Sequence, residues 1–287
     1  MSIFGRSHLV LLLMLVTSCS HEQPASPPTK DAPRIACMSP ALTAMLLELG
    51  VGDHLVGRSS FCRVPGDDLP VVGDLLEVNW ESLVRTNPSH VIVQASPDLL
   101  RGDVVHVAQS RGWTLLAYPL ADASDITLAM ESLPRDLDLR GDDHASASAS
   151  AAAFNSRLEE EMSIREPAIS GNRVLLLTPG PQMLGWGSET YLGDMVEALG
   201  AVNVLSFEGW RPMAPEQIVR TDVDCIVLAS SLPVDPPQWL MDHLESMEEG
   251  PRIEYLVHDG LLLPSTRLPE LAAAMRDILS GRKGEGS

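Results

Sequence analysis

The chain has 287 residues, 45% of them hydrophobic, with 39 acidic and 20 basic side chains and a formal net charge of −19. That length provides one large domain or two modest ones, each with enough chain for a core. The acidic balance excludes nucleic acid and electrostatic docking on anionic lipid, because phosphates attract Lys and Arg, and four Cys are too few for a disulfide scaffold.

Residues 1–18 read as a signal peptide. Arg6 and His8 precede an unbroken apolar run from Leu9 to Val16, which is too short to span a bilayer and suits a signal core. Val16-Thr17-Ser18-Cys19 resembles the bacterial lipobox, which predicts lipid attachment at Cys19 and a folded part tethered at a membrane surface outside the cytoplasm. Residues 19–33 then form a linker. Four Pro with Ser, Gln and Glu within SHEQPASPPTKDAP make a solvated spacer that packs no core.

Strands and helices alternate from there. Arg34–Met38 is a strand, Ser39 an N-cap, Pro40 a first-turn residue, and Ala41–Leu49 a helix stopped by Gly50. His54–Gly57 and Pro70–Val72 are short strands around a loop at 58–69. Trp80–Arg85 is a helix ended by Asn87-Pro88. His90–Gln94 is a strand, Leu99–Arg111 a helix and Thr114–Tyr118 a strand. This alternation predicts a parallel sheet with helices on both faces.

An Ala-rich and then charged stretch follows. Phe154, Leu158 and Met162 recur at four-residue spacing, and a single helix is expected over about 144–166. The second half repeats the plan. Strands are expected at Arg173–Leu177, Cys225–Ala229 and Leu256–His258. Helices are expected at Tyr191–Leu199, Glu216–Arg220, Pro237–Met247 and Pro269–Leu279, and Met183–Gly187 reads as a loop. The chain thus divides into an N-terminal α/β lobe at 34–140, an interdomain helix at 141–168 and a C-terminal α/β lobe at 169–287. A ligand cleft is expected between the lobes, at the carboxyl ends of the strands.

Several segments carry a family resemblance. The run RIACMSPALTAMLLELGVGDHLVGRSSFCRVP and then LPVVGDLLEVNWESLVRTNPSHVIV are similar to the N-lobe of cluster A, helical-backbone substrate-binding proteins of ABC importers. NRVLLLTPGPQMLGWGSETYLGDMVEALGAVNVL and GWRPMAPEQIVRTDVDCIVLAS resemble the C-lobe, so the likeness covers about 34–280. The family comprises receptors for cobalamin, ferric siderophores and haem, and the loop at 59–65 is most like the cobalamin branch. The chain departs from the pattern at Asp74, where the family has Gly, and at Leu75 and Leu76, where a Trp is usual.

The resemblance implies a fold of two Rossmann-like lobes joined by one long helix that acts as a stiff spine. It implies a monomeric receptor with no resident cofactor and no catalytic residues. The receptor captures a metal chelate, a cobalt corrinoid first and an iron chelate next, and hands it to a permease dimer. Phe61, in a polar loop at the cleft mouth, is placed to lie flat on a corrin or haem. The resemblance sets Trp210 across from it, and Trp186 is a further aromatic candidate. Arg63, Arg211 and Arg267 are candidate partners for ligand carboxylates or phosphate. Glu81 and Glu216 each open a short helix, one per lobe, and match the family glutamates that dock on permease arginines.

Other chemistries find little support. The eight His show no HxxxH or HxH spacing suited to a free zinc or manganese ion, and no Gly-Lys-Ser/Thr marks a P-loop. Ser39, Ser59 and Ser60 have no evident His partner for a hydrolase. Cys37 and Cys62 end neighbouring predicted strands and are candidates for a disulfide, but two thiols are too few for a four-thiolate cluster of an enzyme-like relative. Cys225 reads as core. A ligand sensor without a permease is the remaining rival from another class.

Overall fold

The computed structural model describes residues 32–62 and 69–282. The signal peptide, Cys19, the spacer up to residue 31 and Arg63 lie outside the described residues. Residues from Ala32 onward form one compact unit, and among the described residues no helix is long and apolar enough to cross a membrane.

The first sheet is built from β1 (Ile35–Cys37), β2 (Leu55–Ser59), β3 (Val71–Gly73), β4 (His90–Gln94) and β5 (Thr114–Tyr118). All neighbours run parallel, in the order β3-β2-β1-β4-β5. Between them lie α1 (Pro40–Glu48), α2 (Trp80–Thr86) and α3 (Gly102–Arg111), and α4 (Ala123–Asp136) follows. The helix starts are chemically explicit. Ser39 Oγ accepts from the Leu42 N–H with Pro40 behind it, and Asn79 Oδ1 accepts from the Ser82 N–H. Asn87 closes α2 in the left-handed conformation at φ 44°.

Helix α5 runs over Gly141–Ser163 and packs on α4 and on the terminal helix α9 (Leu268–Leu279). Its buried stripe is Ala147, Ala151, Phe154 and Leu158, in which two small residues allow close approach of the neighbouring helices. Polar clips join it to both lobes: Arg157 pairs with Glu48 at 2.7 Å, and Arg276 of α9 pairs with Glu161. One hydrophobic core runs from Leu42 and Met45 through Phe154 to Leu192, Leu271 and Met275. The two lobes and the spine therefore share one core cluster, and each lobe adds a smaller one of its own.

The second sheet contains β6 (Arg173–Thr178), β7 (Met183–Trp186), β8 (Val202–Asn203), β9 (Trp210–Met213), β10 (Cys225–Ser230) and β11 (Arg252–Val257). Its order is β11-β10-β6-β7-β9, with β8 beside β6. The helices are α6 (Tyr191–Ala198), α7 (Pro215–Ile218), α8 (Gln238–Glu245) and α9. Read from the other edge, this order matches the first sheet strand for strand, with β9 in the place of β3 and β6 in the place of β1.

Three features differ from the sequence expectation. Met183–Trp186 is a strand rather than a loop, antiparallel to both β6 and β9. The four residues 179–182 that connect it to β6 are too few for a crossover helix and force a hairpin. Trp210 opens β9, a strand absent from the expected elements. Helix α4 was not anticipated at all, although Ile126, Ala129, Met130 and Leu133 form its buried stripe and Asp122 caps it. Pro134 lies inside its last turn.

Candidate functional site

The carboxyl ends of the strands from both lobes meet at an interlobe cleft with two compartments that share Leu262. The larger, about 550 Å³, is walled by Pro40, Ala44 and Leu47 of α1, by Phe61 after β2, and by Leu232, Leu263 and Arg267 of the second lobe. The smaller, about 250 Å³, has Gln94 and Leu120 on one side and Trp186, Glu189, Tyr191 and Trp210 on the other. The sizes are typical of small-molecule sites, which lie in such crevices.

Exposed apolar side chains concentrate here. Phe61 is 73% exposed, Trp210 60%, Leu232 75% and Leu262 56%. Leu75 and Leu76 after β3 and Leu99 after β4 are exposed as well. Large side chains left uncovered at the rim of a cavity mark a surface meant to be buried by something else.

The register of β7 and β9 pairs Trp186 directly with Trp210, so both indoles stand on one face of the sheet. Trp186 is buried, donates its Nε1–H to Thr178 Oγ1 at 2.8 Å and meets Tyr191 edge-on at 5.5 Å. It is part of the cleft wall, whereas Trp210 stands in the opening. Alternation along β9 sends Arg211 to the other face, and its guanidinium lies 5.0 Å from the centre of the Phe207 ring. Arg211 lines neither compartment, unlike the other described candidates Phe61, Trp186, Trp210 and Arg267.

Arg267 does line the larger compartment but is already paired. Its Nη1 is 3.2 Å from Asp259 Oδ1 and its Nε 2.5 Å from Glu270 Oε2, and Glu270 is the main cause of its raised pKa. His258 sits behind this cluster. Its Nδ1 accepts the Gly260 N–H at 3.1 Å, and burial, then Arg267, lowers its pKa.

Asp74 organises the turn after β3. Its Oδ1 accepts the Leu76 and Glu77 N–H groups, both at 2.9 Å, and Ser60 donates to its Oδ2 at 3.0 Å. The Glu77 and Leu76 N–H groups and the Ser60 hydroxyl hold its carboxyl below the usual range. Gly73 before it has φ 147°, and a Cβ there would lie 2.6 Å from Glu77 O. The turn thereby lifts Leu75 and Leu76 into solvent.

Glu81 is the second residue of α2 and Glu216 the second of α7, and both are exposed. Because β9 occupies the place of β3, the units β3-α2-β4 and β9-α7-β10 are equivalent, and so are the two carboxylates. Cys37 and Cys62 are free in this structure and flank Thr43, whose hydroxyl oxygen is 3.0 Å from Cys62 Sγ. Burial pushes the Cys37 thiol up to about 12. Among the described residues no cluster of His, Cys, Asp and Glu could hold a bare metal ion.

Gln94, Glu189, Leu232 and Leu262 escaped the sequence reading. Glu189 has the one trace that sequence could have offered, a place just before the capping residue Thr190 of α6.

Two α/β lobes on one helical spine, with an apolar cleft at their strand ends, define a two-lobed substrate-binding protein. The chain belongs to the periplasmic binding protein family, whose match spans residues 35–249. Among solved structures, the vitamin B12 binding protein BtuF of Vibrio cholerae has a TM-score of 0.70 at 17% identity, over 88% of this chain and 99% of that one. A possible iron-binding periplasmic solute-binding protein of Staphylococcus epidermidis ATCC 12228 gives 0.67 at 20%, over 87% and 99%. The haem-binding protein HutB of Vibrio cholerae gives 0.66 at 18%, over 85% and 96%. No curated protein matches the sequence.

Proposed function

We propose that this protein is a lipid-anchored extracytoplasmic receptor that captures a metal chelate and delivers it to an ABC importer. Cobalamin is the preferred ligand, with a ferric siderophore or haem next. The observation that carries the reading is the pair of exposed aromatic side chains, Phe61 and Trp210, one from each lobe and each beside a compartment of the shared cleft. A chelate with a broad apolar surface would cover them. Similar folds that bind vitamin B12, haem and iron support the class of ligand.

In this reading Cys19 carries the lipid, the spacer gives the receptor reach, and the protein works as a monomer without chemistry of its own. Glu81 and Glu216 would each meet one subunit of a two-fold permease. The spine α5 and the continuous core favour small lobe movements on binding, because a wide rotation would break hydrogen bonds along the helix.

The test is visible absorbance. Purified protein is incubated with cyanocobalamin, hemin or ferric siderophores and then desalted. One coloured chelate retained per chain is the expected result, and passage of all of them into the small-molecule fraction would overturn the reading.

A further inference from the structure

Resting on that reading of the cleft, we infer that Glu189 sets the ligand's charge class: the site takes a neutral or cationic chelate that presents hydrogen-bond donors, and rejects polyanionic ones. Glu189 has φ 57°, a left-handed conformation that is uncommon for Glu and is held here by its surroundings. Past the antiparallel ladder of β7 and β9, an isolated parallel bridge joins Ser188 to Glu208, and Gly209 N–H donates to Ser188 O at 2.7 Å. These bonds fix the backbone that leads into Glu189. Glu189 is exposed and lines the smaller compartment together with Trp210, and no ion pair engages it among the described residues.

The facing wall repeats the feature. Leu120 is also left-handed at φ 53°, so two of the four non-glycine residues with positive φ among the described residues border this one compartment. Strain of this kind persists where the surrounding structure over-determines it, which is common at ligand sites.

The rest of the cleft agrees in sign. Among the described lining residues of both compartments the charged groups are Glu189, Asp259 and Arg267. Arg267 is taken up by Asp259 and Glu270. Among the described lining residues an incoming carboxylate or catecholate would meet no unpaired cation, and it would lose its hydration against Glu189. The net charge of −19 adds a repulsive field for anions and an attractive one for cations. Gln94 can supply polar recognition without charge. Its Oε1 accepts from Ser39 Oγ at 2.8 Å, which leaves its NH₂ group for a ligand carbonyl.

The test compares four coloured probes on the intact protein: cyanocobalamin (neutral), ferrioxamine B (cationic), hemin and ferric citrate (both anionic). Wild type is expected to bind at least one of the first two about tenfold or more tighter than either anion. Glu189→Lys should weaken that favoured probe about tenfold or more and narrow or reverse the preference, with Glu189→Gln in between. Tighter binding of hemin or ferric citrate by wild type would overturn the charge assignment and leave the chelate-receptor reading standing. An unchanged ranking in Glu189→Lys, with only a lowered melting temperature, would also overturn it and assign Glu189 to the dipole of α6. Retention of none of the four probes would overturn this inference and weigh against the receptor reading.

Discussion

Trp186 and Trp210 are direct cross-strand partners on one face of the second sheet, yet one is 7% exposed and the other 60%. The same residue type thus does two different jobs at one register position. Trp186→Ala removes a buried indole, its hydrogen bond to Thr178 and its contact with Tyr191, and should destabilise the fold by about 3–5 kcal/mol. Trp210→Ala should leave stability within about 0.5 kcal/mol and weaken chelate binding about tenfold, as expected from losing the burial of one ring face. Chemical denaturation and equilibrium dialysis on the two variants separate the roles. Equal stability losses would show that Trp210 is structural.

Glu81 and Glu216 stand at equivalent points of two equivalent strand-helix-strand units. The double variant Glu81→Ala/Glu216→Ala should keep chelate affinity and lose permease binding or uptake. Exposed ion pairs contribute only about 0.2–1 kcal/mol each, but pairs desolvated in a complex couple more strongly. Each single variant should therefore be milder, and reversal to Arg worse than Ala. Full uptake with both charges reversed would assign them another role.

The pH dependence of stability has a signed contribution from Asp194 at the junction of the lobes. Its Oδ2 accepts the N–H of Ala123, the first residue of α4, at 3.0 Å. Burial raises its pKa against the opposing effect of that N–H. A raised carboxyl pKa contributes stability that is present below the unfolded value and lost as pH rises through the folded one. Asp194→Asn keeps an acceptor for Ala123 and removes the charge, so it should melt higher than wild type at about pH 7, with the gap closing toward about pH 3. A variant that melts lower than wild type at neutral pH would mean that the helix N-termini favour the charge more than burial opposes it.

Much of this was legible in the sequence, and the failures have physical reasons. The buried strands Ile35–Cys37, His90–Gln94 and Cys225–Ser230 are short apolar runs between turn signals, so local pattern identifies them. Ser39 announces the start of α1 because its side chain does the capping itself. The hairpin into β7 was lost because residues 179–182 look like any Pro- and Gly-rich loop, and pairing is decided by a distant partner strand. The same cause hid β9 and with it the side to which Arg211 points. The pairing of Arg267 with Asp259 and Glu270 and the backbone of Glu189 depend on chain segments brought together only by the fold.

The most direct test of the central claim is chelate retention by the double variant Phe61→Ala/Trp210→Ala, with its melting curve measured alongside. Both side chains are more than half exposed, so the variant should melt like wild type. Wild type should retain one coloured chelate per chain after desalting, and the variant should release it. A variant that holds the chelate as firmly as wild type would contradict the assignment of the interlobe cleft as the binding site.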